Sequence, residues 1–227
     1  MTDEVGREVA RRIAAVRGRI DAACGRAGRD PASVTLVAVT KGWPPETVAR
    51  AWEAGIRDFG ENRVQEGALK VGALAAAGIR PTWHLIGNLQ TNKARLAVRT
   101  FDILHAVDSE RLLRTIAAAA ASPVRMMIEV NISGEAAKHG IAPVALPSLL
   151  EAARQAPLAR VEGLMTVAPL VADPEESRPV FRRLSELGRE HRLPYLSMGM
   201  TGDFEVAVEE GATHVRIGRA LFGGRPA

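Results

Sequence analysis

Residues 195–218 read YLSMGMTGDFEVAVEEGATHVRIG. Tyr195–Gly199 is a short apolar run that breaks at glycine, and His214–Gly218 is a second one. Between them Asp203–Glu210 carries alternating apolar and acidic residues at helical spacing. Such a stretch reads as strand, helix, strand, each strand too short and too apolar to be anything but buried. Two strands joined through a helical crossover run parallel.

The same alternation extends back through the chain. Residues 2–28 predict a long amphipathic helix, with Val9, Ile13, Val16 and Ile20 on one face and Gly25 and Gly28 at its end. Strands follow at 35–40, 58–60, 83–87, 103–107, 125–131 and 161–167, before those at 195–199 and 214–218. Helices fill the intervals: Pro44–Ala54, Arg63–Ala77, Thr91–Arg99, a run to Ala121 capped by Asp108 or Ser109, Ala145–Gln155, and Glu175–His191. A last short helix covers Arg219–Phe222. Eight strands each followed by a helix predict an α/β fold, a single (β/α)8 TIM-type barrel with an extra N-terminal helix. An open doubly wound sheet is the competing topology, but it normally carries a Gly-x-Gly-x-x-Gly loop after strand one. Here that position reads Thr40-Lys41-Gly42-Trp43-Pro44. No linker is evident, so residues 1–227 are expected to form one domain.

Composition narrows the function classes. Of 227 residues, 47% are hydrophobic and 25% charged, which excludes disorder and collagen-like or disulfide scaffolds. No apolar run reaches the roughly 18 residues a membrane span requires, so no membrane partner is expected. Thirty basic against 26 acidic residues give a net charge of +4, without a basic block and with few aromatics. Nucleic acid is therefore not an expected partner. The acidic N-terminus lacks a signal-peptide core, and the single Cys24 suits a reducing cytoplasm, the expected localisation.

In a barrel the chemistry sits where strands end. Lys41 ends strand one, in a chain with three other lysines, Lys70, Lys93 and Lys138. A partly desolvated amine loses charge and can attack a carbonyl to form a Schiff base. The plainer alternative is a lysine that reaches solvent or pairs with Glu61. The ends of strands seven and eight, Ser197–Gly202 and Arg216–Gly218, each lead into a helix start, as in barrels that bind phosphate. A Schiff-base lysine facing a phosphate cradle points to pyridoxal phosphate, with a sugar-phosphate aldolase as the rival. The five histidines show no metal spacing, so no metal is expected. His84 and His105 read as satisfied structural histidines inside the barrel, and Trp43, Trp52 and Trp83 as packing residues.

Several motifs sharpen this. Val37-Ala-Val-Thr-Lys41 with Pro44, Phe59-Gly-Glu-Asn-Arg-Val-Gln-Glu66 and Trp83-His-Leu-Ile-Gly-Asn-Leu-Gln-Thr-Asn-Lys93 lie in the first half. Val130-Asn131, Lys138-His-Gly140, Gly163-Leu-Met165, Leu196-Ser-Met-Gly-Met200 and Val215-Arg-Ile-Gly218 lie in the second. With them the chain closely resembles the pyridoxal phosphate homeostasis proteins, from about residue 7 to 223. The resemblance implies a barrel like the N-terminal domain of bacterial alanine racemase, with pyridoxal 5'-phosphate held as a Schiff base on Lys41. It implies Asn62 near the cofactor ring, and Ser197, Met200, Thr201, Gly218 and Arg219 around the phosphate. Arg216 would face the ring nitrogen or the phosphate edge. The implied role is intracellular cofactor homeostasis rather than turnover, with apo-enzymes that need the cofactor as acceptors and a monomer or weak dimer as the working form. The chain has Thr201-Gly-Asp-Phe204 where Ser-x-Asp-Met is common, and Trp43 and Asn88 also depart from the usual pattern.

The residues themselves bear on catalysis. Pyridoxal phosphate is a strong electron sink when its ring nitrogen is protonated, usually beside an Asp. Arg216 donates only and cannot favour that protonation. Racemisation needs an acid or base on each face of the substrate. The only tyrosine, Tyr195, begins strand seven, at the wrong end of the barrel. No catalytic residues are therefore assigned. A racemase or other minor pyridoxal enzyme is the alternative to a carrier.

Overall fold

A computed structural model describes residues 2–135 and 137–224. Eight parallel strands close into a barrel in chain order: β1 (Thr35–Val39), β2 (Asp58–Glu61), β3 (Thr82–Leu85), β4 (Ile103–Val107), β5 (Val124–Glu129), β6 (Ala159–Met165), β7 (Tyr195–Ser197) and β8 (His214–Ile217). Pairing of Thr35 with His214 and Val37 with Arg216 shuts the ring.

Helices α1 (Thr2–Arg26), α2 (Pro45–Glu53), α3 (Val64–Ala76), α4 (Ala94–Thr100), α5 (Glu110–Ala119), α6 (Leu146–Arg154), α7 (Arg178–Glu190), α8 (Phe204–Glu209) and α9 (Arg219–Phe222) follow the expected order. The strand ends differ from the sequence reading by one or two residues, because the last expected residues leave the ladder to form the rim loops. Ser109 caps α5 by accepting from the Leu112 N–H at 3.3 Å.

Successive residues of a strand face opposite sides of the sheet, so each strand feeds two cores. The outer one lies between strands and helices and holds Leu36, Ala38, Phe59, Leu104, Ile128 and Leu164. Fully buried side chains such as Phe59 and Phe181 each contribute about 1.5–3 kcal/mol of transfer free energy. Val9, Ile13, Val16 and Ile20 bury one stripe of α1 in this core. Its polar face reaches α8 through Arg19–Glu205 and Arg26–Glu209 ion pairs at 2.7 and 2.6 Å. The inner core is different. Beside a small apolar group of Ile103, Ala106, Met127 and Met165, it contains His84, His105, His214, Ser197 and Arg216. Among the described residues no helix is long and apolar enough to cross a membrane.

Candidate functional site

Val37 faces the barrel interior, against Gly60. Thr40 faces outward, with its N–H still bonded to the Gly60 carbonyl at 3.0 Å. Alternation then puts the next residue, half-buried Lys41, on the inner side of the C-terminal rim.

The backbone that carries Lys41 is braced from outside. Thr40 Oγ1 donates to Glu61 Oε1 at 2.6 Å, and buried Lys70 on α3 donates to Glu61 Oε1, Glu66 Oε1 and the Thr40 carbonyl at 2.7, 2.8 and 2.6 Å. The Gly42 N–H donates to Glu66 Oε1 at 2.5 Å. Glu61 thus pairs with Lys70 on the outer side of the wall. Burial pushes the Glu61 carboxyl up, against the pull of Lys70 and Thr40. For Glu66 burial also opposes ionisation, but the bonds from Lys70 and Gly42 outweigh it and hold the carboxyl down.

Beside Lys41, Asn62 follows β2. Its Oδ1 is buried and has no hydrogen-bond partner among the described residues. Gly87 packs against the Asn62 backbone so closely that a Cβ there would collide with the Asn62 carbonyl oxygen.

Arg216 forms the floor of the mouth. It is buried, and its Nη1 and Nη2 donate to Ser197 Oγ at 2.7 Å and to the Thr166 carbonyl at 2.9 Å. Burial lowers its pKa to about 10, opposed by the charges of Glu129 and Asp203, so it remains a cation at neutral pH. Ser197 also meets His105 Nδ1 at 2.8 Å. The sequence reading sets Ser197 among the phosphate neighbours. Its position in β7 instead turns the hydroxyl into the barrel, between Arg216 and His105.

The rim of β7 and β8 closes the site. Gly199 adopts φ +90°, and a Cβ there would lie 2.6 Å from Ala207 Cβ, so the tight exit into α8 requires glycine. The Met200 N–H is held by Asp203 Oδ1 at 2.7 Å, and the Met200 side chain is exposed. Thr201 Oγ1 stands 3.5 Å from the Ala220 N–H in the first turn of α9, which joins the two loops. Gly218 begins that turn beside Val39, and Arg219 is exposed. Lys41, Asn62, Thr201, Arg216, Gly218 and Arg219 therefore share the C-terminal end of the barrel. Met200 is present there mainly as backbone already engaged.

One rim residue escaped the sequence reading. Glu129, at the end of β5, is buried, with its carboxyl pushed up by burial and drawn down by Arg216. A charge inside the apolar run Met126–Val130 was the available signal. Asn131, the expected strand end, organises its own loop: its Oδ1 accepts from Gly134 N–H and its Nδ2 donates to the Glu135 carbonyl. Lys138 pairs with Glu135 at 2.7 Å. Tyr195 sits at the start of β7 with its ring 5.6 Å from that of His214, remote from the rim. Trp43 packs on Phe222 and Trp83 on Phe59, as expected.

Comparison with known proteins agrees with this architecture. The family described as alanine racemase, N-terminal domain, matches residues 13–226. A pyridoxal phosphate homeostasis protein of Pseudomonas aeruginosa is 44% identical over 222 residues, covering 96% of both chains. One of Aquifex aeolicus is 43% identical over 223 residues, covering 94% of this chain and 97% of its own. The structure of PipY of Synechococcus elongatus with pyridoxal phosphate bound superposes with a TM-score of 0.79 at 38% identity, covering 95% of this chain and all of that one. Alanine racemase of Corynebacterium glutamicum shares the fold, with a TM-score of 0.72 at 18% identity, and this chain spans 62% of it. With its barrel, its rim lysine and its near full-length kinship all in agreement, the chain belongs to the pyridoxal phosphate homeostasis protein family.

Proposed function

We propose that this protein binds pyridoxal 5'-phosphate at the C-terminal mouth of the barrel, as a Schiff base on Lys41, and holds it for cofactor homeostasis in the cytoplasm. The whole chain is read as one domain serving that site. The observation that carries the proposal is the convergence of an inward rim lysine, an unsatisfied buried acceptor on Asn62 and a buried donor-only Arg216. The residues fit the cofactor group by group. Arg216 has five N–H donors, of which Ser197 and Thr166 take two, so donors remain for an unprotonated ring nitrogen. Asn62 Oδ1 can accept from a hydroxyl. Thr201 Oγ1 and the first N–H groups of α9 offer donors to a phosphate. Bound there, the cofactor supplies an electrophilic carbon and an electron sink.

The carrier role rests on what this chain does with protons. Arg216 stays a cation and leaves the ring nitrogen neutral, which weakens the sink. The tyrosine that could act as a base lies at the far end of the barrel. Apo-enzymes that need the cofactor are the proposed acceptors, from a monomer or weak dimer.

Borohydride reduction of the loaded protein, followed by peptide mass spectrometry, tests the site. The pyridoxyl adduct is expected on Lys41. Recovery on Lys70, Lys93 or Lys138 would overturn the assignment. Incubation of the loaded protein with L-alanine in deuterated water tests the role. Exchange of the α-proton should not exceed that given by free cofactor. Exchange at about 1–10³ per second, an ordinary enzymatic rate, would replace the carrier with a racemase.

A further inference from the structure

The barrel interior holds a continuous line of polar side chains that the cofactor site does not by itself require. Arg216 Nη1 lies 2.7 Å from Ser197 Oγ, which lies 2.8 Å from His105 Nδ1. His105 Nε2 lies 2.8 Å from His84 Nδ1, and His84 Nε2 lies 3.0 Å from Asp58 Oδ1. Four contacts thus run from the floor of the mouth to the first residue of β2 at the opposite end. There Asp58 lines a cleft of about 370 Å³ together with Arg17, Asp21, Thr35 and Arg57.

The Asp58 end sets the direction of this line, and the Arg216 end is compatible with it. A guanidinium only donates, so Ser197 Oγ accepts from Arg216 and has its own proton for His105 Nδ1. A carboxylate only accepts, so His84 donates its Nε2–H to Asp58. For neutral rings one arrangement then satisfies every contact. Each imidazole carries its proton on Nε2, and every donor points from Arg216 towards Asp58. Neutrality of His105 follows from its full burial, reinforced by repulsion from His84, His214, Arg216 and Arg125. The His214 ring packs 6.0 and 5.9 Å from those of His84 and His105, and the Thr213 hydroxyl holds its Nδ1 at 2.9 Å, outside the line.

We propose that Asp58, His84 and His105 are positioning residues that orient the Arg216 guanidinium from the far face of the barrel, through a hydrogen-bond chain whose donors all point one way. The consequence for the cofactor rests on the reading of Arg216 as its ring partner; the chain itself does not. Linked hydrogen bonds polarise one another in a low-dielectric interior. With Asp58 in place, His84 and His105 are locked in single tautomers and Ser197 must present its lone pairs to Arg216. Without it, both rings can flip tautomer and Ser197 can turn its proton against the guanidinium.

The test has two arms. Two-bond proton–nitrogen NMR spectra of the cofactor-free protein should show His84 and His105 as neutral Nε2–H tautomers, with one Arg216 Nη resonance held by Ser197. Asp58→Ala should populate the Nδ1–H form of His105, while Asp58→Asn, whose carbonyl oxygen still accepts, should not. An Nδ1–H His105 or a doubly protonated His84 in the parent protein would overturn the chain. In the second arm, Asp58→Ala should shift the absorbance maximum of bound pyridoxal phosphate and speed its loss about tenfold, equivalent to 1.4 kcal/mol, with Asp58→Asn restoring both. Unchanged spectrum and retention, with His105 scrambled, would overturn the positioning role. A merely structural Asp58 would alter stability and leave the spectrum in place. His84→Phe interrupts the chain at its middle and serves if Asp58→Ala does not fold. If the parent takes up no cofactor, the proposed function fails while the tautomers and the Arg216 resonance still decide the chain.

Discussion

The barrel wall between β1 and β3 has a buried charged network on each side, and the two are built on opposite plans. Outside, Lys70 touches Glu61 and Glu66 directly, at 2.7 and 2.8 Å, and pins the carbonyl of Thr40. Inside, one cation and one carboxylate stand at opposite ends of the barrel, separated by Ser197, His105 and His84. The outer plan fixes where a backbone segment sits, the one that leads into Lys41. The inner plan fixes which way a side chain points. In the first, removing a partner strands a buried charge. In the second, removing a link frees rotors and tautomers but leaves no charge newly exposed to an apolar surrounding.

The largest effect therefore belongs to the outer network. Lys70→Met should destabilise the fold by about 3–5 kcal/mol, the usual cost of leaving a buried charge uncompensated. Urea unfolding measures it. Pairing the change with Glu61→Gln should recover part of the loss, because the uncompensated carboxylate is removed along with its partner. His105→Gln in the inner line should cost clearly less. Equal losses from Lys70→Met and His105→Gln would erase the distinction between the two plans.

The barrel was legible because short continuous apolar runs and helical runs alternate eight times, and that pattern is local. The rim was legible for the same reason: strand ends fall where apolar runs stop, which picked out Lys41, Thr201 and Gly218, while Asn62 came from the family resemblance. Partnerships across the barrel were not. Ser197 carries no mark in sequence that its hydroxyl turns inward to Arg216 and not outward to the rim; a register of one residue decides it. His84 and His105 read as structural, and their burial and mutual bond agree, yet their order in a line ending on Asp58 depends on three strands at once. Lys70 lies on a helix at ordinary spacing, and its burial follows only from the packing of α3 on β1 and β2.

A change at the rim bypasses both networks and so separates retention from stability. Thr201→Ala should weaken cofactor retention by about 1.5–3 kcal/mol, the range for a hydrogen bond to a charged group. Arg219 is exposed, so Arg219→Ala should cost less, about 0.2–1 kcal/mol. The double variant should lose more than either single change, by equilibrium dialysis, with the unfolding midpoint in urea near that of the parent. Unchanged retention in the double variant would take both residues out of the site.

The smallest effect is a slope with pH, and its sign differs between His214 inside the barrel and Glu61 outside it. Burial lowers the His214 pKa from 6.5 to about 3, helped by His84, Arg125 and Arg216 and opposed by Asp58. Between those values the unfolded chain binds a proton that the folded chain refuses, so stability rises with pH there. The contribution of His214 is complete above pH 6.5 and is lost as pH falls from 6.5 towards about 3. His105 acts in the same direction. Glu61 has the opposite sign: its raised pKa makes the folded chain bind the proton more readily, so its contribution is lost as pH rises. Glu129 and Asp203, also raised by burial, act with Glu61. The net profile mixes both signs, and only a difference isolates one. Urea unfolding at pH 7, 6 and 5 should show the parent losing stability more steeply than His214→Gln, by at most about 1.4 kcal/mol per pH unit. Parallel slopes would mean that His214 accepts a proton in the folded barrel as readily as in the unfolded chain. The inner core would then be wet enough to hold charge, and the neutral rings on which its one-way line depends would be lost.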